Sequence, residues 1–159
     1  MTYNDLGARH YAWVEEMGWH NRSHLEAFGM IYSEVGEAAG EITPQGISNE
    51  FPLELADIVL RSVDEAIVLG LNIDFERQHY SPDRPAYRTI QACLLQMTTE
   101  LGKGVNAARS NDVEGMATSL VRTLMLCEET ASRSSIDLQA ITESKMLANH
   151  GRGNRGRKI

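Results

Sequence analysis

Glu34-x-x-Glu37 and Glu54-x-x-Asp57 each set two carboxylates three residues apart. On an α-helix such residues share a face, so each pair points two negative charges in one direction. The repulsion costs about a few tenths of a kcal/mol, and a divalent cation would offset it. With 22 acids in 159 residues, roughly three such pairs arise by chance, so placement carries the signal rather than number. Glu34, Glu37 and Glu41 form one stripe, and Glu54, Asp57, Arg61 and Asp64 another. The stretch 38–53 between them comprises a helix end, a short loop and a helix start, which brings the stripes face to face. Val35, Ala38, Ala56, Ile58 and Leu60 flank them with apolar side chains, and Arg61 is the sole base of the second stripe. A solvated face would interleave Lys and Arg. Converging carboxylates in a partly buried cleft need cations, and an all-oxygen set suits Mg²⁺ or Mn²⁺ over zinc. The competing reading is ordinary surface acids on amphipathic helices.

Other metal chemistries fare worse. A ferritin-like di-iron site needs Glu-x-x-His on two helices. Glu76-x-x-His79 is the one match, and it falls in an expected connector. Cys93 and Cys127 are isolated, with no CxxC and no Cys/His cluster, so they read as free buried thiols in a reducing cytoplasm.

The elements that must position these acids are all helical. β-branched residues are sparse and no stretch alternates over a strand length. Helices are expected over about 4–18, then from a cap at Asn21 or Ser23 to about Glu41. Residues 43–49 read as a loop, and Ser48 or Asn49 caps a third helix ending near Gly70. A connector over 71–85 precedes helices at about 86–109 and 113–132, with a capped turn at 110–112. A sixth helix runs to about His150. Short connections make these antiparallel neighbours, so the fold class is an all-α bundle of five to six helices. One domain spans 1–150, followed by a basic tail at 151–159.

Within the bundle the pattern recurs. Glu34 and Gly36 align with Glu100 and Gly102, and Arg61 with Arg122. Glu37, Glu54 and Asp57 become Lys103, Gly115 and Thr118. This is either a degenerate duplication of a helical hairpin, or two hairpins obeying the same packing rules.

The charge is split along the chain. Residues 1–144 hold 10 basic against 22 acidic groups, a net of −12, while the last fifteen residues hold +5. An acidic body excludes broad nucleic-acid binding, which needs a basic face. There is no run long enough for a membrane helix and no apolar secretory segment, so a cytoplasmic location is expected.

SEVGEAAGE followed by LELADIVLRSVDEAIVLGLNID resembles the core of the MazG-like nucleoside triphosphate pyrophosphohydrolases. The segment EEMGWHNRSHLEAFGMIYSE is similar to the entry helices of small members, and ITESKMLANHGRGNRGRK to the closing segment. The resemblance covers about 15–75 and 136–158 and leaves 76–118 unmatched. It implies an all-α enzyme that hydrolyses nucleoside or deoxynucleoside triphosphates to monophosphate and pyrophosphate. Glu34, Glu37, Glu54 and Asp57 then hold Mg²⁺ (or Mn²⁺), with Asp64 a further outer candidate, Glu41 a weaker one, and one glutamate an alternative general base. Lys145, Asn149 and Arg152 would hold phosphates, ahead of Arg155, Arg157 and Lys158. Trp19 and His20, with Trp13, are candidates for stacking on a nucleobase. The resemblance further implies a homodimer or homotetramer. The alternatives are a non-enzymatic helical interaction protein, or a specialised dUTP or dCTP pyrophosphatase of the same fold.

Overall fold

A computed structural model describes residues 2–20, 22–79 and 89–152. Its elements run α1 (Tyr3–Glu16), α2 (His24–Gly40), β1 (Ile42–Thr43), β2 (Gly46–Ile47), α3 (Phe51–Val68), α4 (Ile73–His79), α5 (Ile90–Ser110), α6 (Val113–Arg133) and α7 (Leu138–Arg152). The all-α bundle expected from periodicity is what forms, with seven helices among the described residues.

The caps follow local chemistry. Ser23 Oγ accepts from the Glu26 backbone N–H while the Glu26 carboxylate accepts from the Ser23 N–H, a complete capping box at the start of α2. Asp112 caps α6 by accepting from Gly115 N–H at 3.0 Å. Gly70 closes the turn after α3 with φ +70°, a left-handed conformation that suits glycine. α3 starts differently from expectation. Glu50 is its N-cap without a side-chain hydrogen bond, and Ser48 Oγ instead accepts from the Glu50 N–H at 3.1 Å.

Two expected irregular stretches hold structure. Across the expected loop at 43–49 and the residue before it, Ile42 pairs with Ile47 and Thr43 with Gly46, a minimal antiparallel ladder that tightens the α2–α3 connection. The connector after Gly70 contains α4. Asn72 Oδ1 accepts from Phe75 N–H at 2.9 Å, and the two Asp74 oxygens accept from the Tyr3 and Asn4 N–H groups. A short, weakly apolar helix therefore persists because it also satisfies the orphan donors at the start of α1.

α2, α3, α5 and α6 make a four-helix core of two hairpins packed side by side, and α1 and α7 both lie on α3. α3 is central: eleven of its 18 residues are buried, including Ser62, Asp64 and Glu65. Phe28, Ile31, Phe51, Leu55, Ile58, Met97, Leu101 and Leu120 are fully enclosed. Each such large side chain contributes about 1.5–3 kcal/mol by leaving water. Buried Ser62, Thr123, Thr130 and Thr142 donate to carbonyls four residues back, so burial leaves their hydroxyls satisfied. Gly104 marks the closest approach between α5 and its neighbours, since a Cβ there would lie 2.2 Å from Phe28 Cε1 and 2.4 Å from Ser119 Oγ. No helix of the described residues is long and apolar enough to cross a membrane.

Candidate metal centre

The α2–α3 hairpin aligns two helical faces, and three carboxylates meet between them. Oxygens of Glu34, Glu54 and Asp57 all lie within 4.8 Å of one another. Glu34 comes from α2, the other two from α3. Ligands at about 2.1 Å from one hard cation stand up to about 4.2 Å apart, so the cluster is close to the spacing of an oxygen coordination shell. Among the described residues no other group of three or more metal-ligating side chains forms.

Two cations from the chain already address this cluster. Arg61 Nε donates to Glu34 Oε1 at 2.5 Å, one turn along α3 from Asp57. Lys145 Nζ, brought in by α7, lies 2.6 Å from Asp57 Oδ2. Both cations are mostly buried, and they offset acids that water reaches poorly. The offset is partial. Burial pushes the Glu34 carboxyl above its ordinary value; Arg61 opposes the rise, and Asp57 and Glu37 add to it. Burial also raises Glu54, against the pull of Lys145 and with further rises from Asp57, Glu34 and Glu37. An excess of negative charge in a cleft of this kind favours a divalent cation.

The remaining candidates are sorted by their surroundings. Glu37 is exposed at the edge of the cleft, outside the compact triad, yet near enough for its charge to act on both Glu34 and Glu54. Glu41 is spent on the Ser48 hydroxyl, which donates to it across the hairpin loop. Asp64, the outer-ligand candidate, stands outside the cluster. It is 1% exposed, receives Arg22 Nη2 at 2.8 Å and meets His20 Nε2 at 2.9 Å. The stripe on α3 turns inward there, and a clamp of Arg22 and His20 claims the carboxylate. Glu65 is likewise buried, 2.6 Å from His24 Nδ1, with burial raising its carboxyl.

The aromatic candidates pack on one another. His20 lies under Tyr11, with ring centroids 4.2 Å apart, and its second nitrogen is 3.0 Å from Glu15. Its ring is thus committed to holding Asp64. Trp19 meets Trp13 edge-on at 5.0 Å, and Trp13 stacks on His150 of α7 at 4.6 Å. His150 in turn lies parallel to buried His10 at 6.0 Å. Burial, with lesser repulsion from His150, Arg61, Arg22 and His20, pushes His10 down to about 3, so it is neutral at ordinary pH. The Trp13–His150–His10 stack ties α7 to α1 and thereby fixes the helix that delivers Lys145.

Lys145 and Asn149 are one turn apart on α7, which places them on a common face. Arg152 closes the helix and is exposed. Among the described residues no side-chain hydrogen bond or ion pair engages Asn149 or Arg152. Arg155, Arg157 and Lys158 lie outside the described residues. Glu76 and His79 fall on α4, away from the acidic cluster, and the side chain of His79 lies outside the described residues.

Sequence reasoning gave no site role to Arg61, Arg22 or His24. The one available signal was Arg61 as the lone base in an acidic stripe. The partners of Arg22 and His24 lie on another helix more than 40 residues away, at separations of 42 and 41, where local spacing is silent. No family model, no curated protein and no solved structure matches this chain.

Proposed function

We propose that the protein is a magnesium-dependent nucleoside triphosphate pyrophosphohydrolase, releasing the monophosphate and pyrophosphate. The observation that carries this reading is the convergence of Glu34, Glu54 and Asp57 from two helices, with the Lys145 ammonium 2.6 Å from Asp57. The oxygen-only donor set fits a hard divalent cation, Mg²⁺ or Mn²⁺. Glu34, Glu54 and Asp57 would hold it, with Glu37 at the rim. Bound there, such an ion supplies charge neutralisation of phosphoryl oxygens and acidification of water.

The chain's own residues account for the rest. Arg61 holds the Glu34 carboxylate in place by its hydrogen bond. Lys145 stands at the boundary between acids and solvent, and transfers from Asp57 to the phosphate oxygens as the triphosphate enters. Asn149 and Arg152 extend that face along α7, Asn149 with a neutral amide donor and Arg152 with a charged fork. Glu37, exposed and next to the cluster, is the candidate for orienting an attacking water. A pure interaction module would have no need to gather carboxylates and then bring a lysine to them from a third helix.

The test is incubation with Mg²⁺ and each nucleoside and deoxynucleoside triphosphate, scored for monophosphate plus pyrophosphate. Turnover is expected, and to fall at least about a hundredfold in Glu37→Ala and Asp57→Ala, as for loss of groups acting on the reacting centre. Turnover confined to dUTP or dCTP would assign the specialised activity. No turnover of any nucleotide would sink the enzymatic reading.

A further inference from the structure

The α5–α6 hairpin repeats the Glu–Arg pairing of α2–α3 without most of its acids. Glu100 on α5 is 2% exposed, as Glu34 is buried on α2. Arg122 on α6 faces it as Arg61 faces Glu34, but loosely: Arg122 Nη1 is 3.5 Å from Glu100 Oε1 where Arg61 Nε is 2.5 Å from Glu34 Oε1. Lys103 takes the place of Glu37 and reaches the same Glu100 oxygen at 2.9 Å. At the positions of Glu54 and Asp57 stand Gly115 and Thr118. Gly115 has a packing reason, since a Cβ there would come 2.9 Å from that of Ala107 and 2.5 Å from Asp112 Oδ2. α7 packs on α3 and barely reaches α6, so among the described residues α7 covers the first hairpin and not the second.

Over it opens a cavity of about 450 Å³, lined by Glu100, Lys103, Asn106, Asp112, Thr118 and Arg122 among others. This site is no cation trap, because two of the three clustered acids have no counterpart. Its bonding capacity is also unspent on both sides. Lys103 and Arg122 share one carboxylate oxygen with Gln96 Nε2, which donates to it at 2.8 Å, and the two cationic side chains are 57% and 49% exposed. Arg122 uses one of its five N–H donors there, at a long 3.5 Å. The other Glu100 oxygen is buried without a hydrogen-bond partner. The unused Arg122 and Lys103 donors are therefore what an entering oxyanion meets.

We propose that this cavity is a metal-independent binding site for a phosphomonoester. The Arg122 fork and the Lys103 point charge hold the phosphoryl oxygens, and Glu100 positions both cations. Lys103 and Arg122 are set against Glu100 and Asp112 in the lining, so the preference rests on donors: a phosphoryl group offers three acceptor oxygens to them where a carboxylate offers two. The cavity far exceeds an inorganic phosphate, which leaves room for an organic body beside Asn106 and Thr118.

The experiment uses the full chain in EDTA, which makes it independent of the metal centre and of the proposed hydrolysis. Inorganic phosphate, AMP and glucose 6-phosphate are titrated by calorimetry, with backbone amide shifts followed by NMR. At least one ester is expected to bind saturably, shifting amides around 100–122. Its affinity should fall about tenfold or more in Lys103→Gln and Arg122→Gln, as for loss of a charge-assisted bond, and be unchanged in Asp57→Asn. Both glutamine substitutions are at half-exposed positions, and an unchanged melting temperature verifies the fold. No saturable binding of either ester, binding indifferent to Arg122→Gln, or inorganic phosphate binding as tightly as the esters would each overturn the assignment.

Discussion

Lys145 Nζ lies 2.6 Å from Asp57 Oδ2, so a cation from α7 occupies the acidic cluster that α2 and α3 build. The lysine therefore has two opposed effects. It competes with a divalent cation for Asp57, and it supplies a positive charge where a triphosphate would arrive. Lys145→Met should tighten Mg²⁺ in the absence of nucleotide, while raising KM for the nucleotide about tenfold or more, the cost of one charge-assisted hydrogen bond. Calorimetry with Mg²⁺ and steady-state kinetics separate the two. Weakening of both together would show that the lysine merely holds the cluster in shape.

The raised Glu54 carboxyl makes a signed pH prediction. Burial is the main cause, and the fold disfavours the ionised form. The penalty is absent below the ordinary value of 4.5 and complete above the raised one. Glu54→Gln should thus melt a few degrees above the parent at neutral pH in EDTA, with the gap closing as pH falls towards 4.5. Saturating Mg²⁺ should reverse the order, since the parent gains binding energy and the variant loses a ligand. Thermal melts across pH, with and without Mg²⁺, measure both. A gap independent of pH would refute the electrostatic account.

Asp64 is placed by the structure in a clamp rather than in the metal set. Asp64→Asn leaves the Arg22 guanidinium and the His20 ring short of their buried partner. Breaking one side of a buried pair costs about 3–5 kcal/mol. At roughly 2–4 °C per kcal/mol for a chain of this size, the melting temperature should drop on the order of 10 °C. Mg²⁺ affinity of the folded variant should be close to that of the parent. A large loss of Mg²⁺ affinity with an intact melting temperature would return Asp64 to the ligand set.

Gly104 tests the packing of the two hairpins. The added methyl of Gly104→Ala meets Phe28 Cε1 at 2.2 Å and Ser119 Oγ at 2.4 Å. Both neighbours are buried and have little room to move. The expected loss is about 1–3 kcal/mol, read as a lower denaturation midpoint. Ala at half-buried Gly102, where nothing lies within 4 Å, should be neutral or slightly stabilising in the same helix.

Local rules carried the reading of this chain a long way. The 3.6-residue periodicity of Leu25, Phe28, Ile31 and Val35 was enough for α2. Ser23, one of two candidates with Asn21, and the turn at 110–112 marked helix starts, and Gly70 marked a stop, because capping depends on residues within one turn. The i,i+3 spacing of Glu54 and Asp57 was enough to put both on one face. α4 escaped because its stability lies in hydrogen bonds to Tyr3 and Asn4, some seventy residues away.

What spacing left open was the rotation of each helix about its own axis and the competition for each carboxylate. Glu34, Glu41, Asp57 and Asp64 look alike along the chain. In the fold, Glu34 and Asp57 join the cluster, Glu41 turns to Ser48, and Asp64 goes to Arg22 and His20. Lys145 likewise becomes part of the site because α7 packs on α3, held by the Trp13–His150–His10 stack. A helix dictates which side chains share a face. Which cation meets that face is settled by packing between helices, where long-range burial and charge pairing act together.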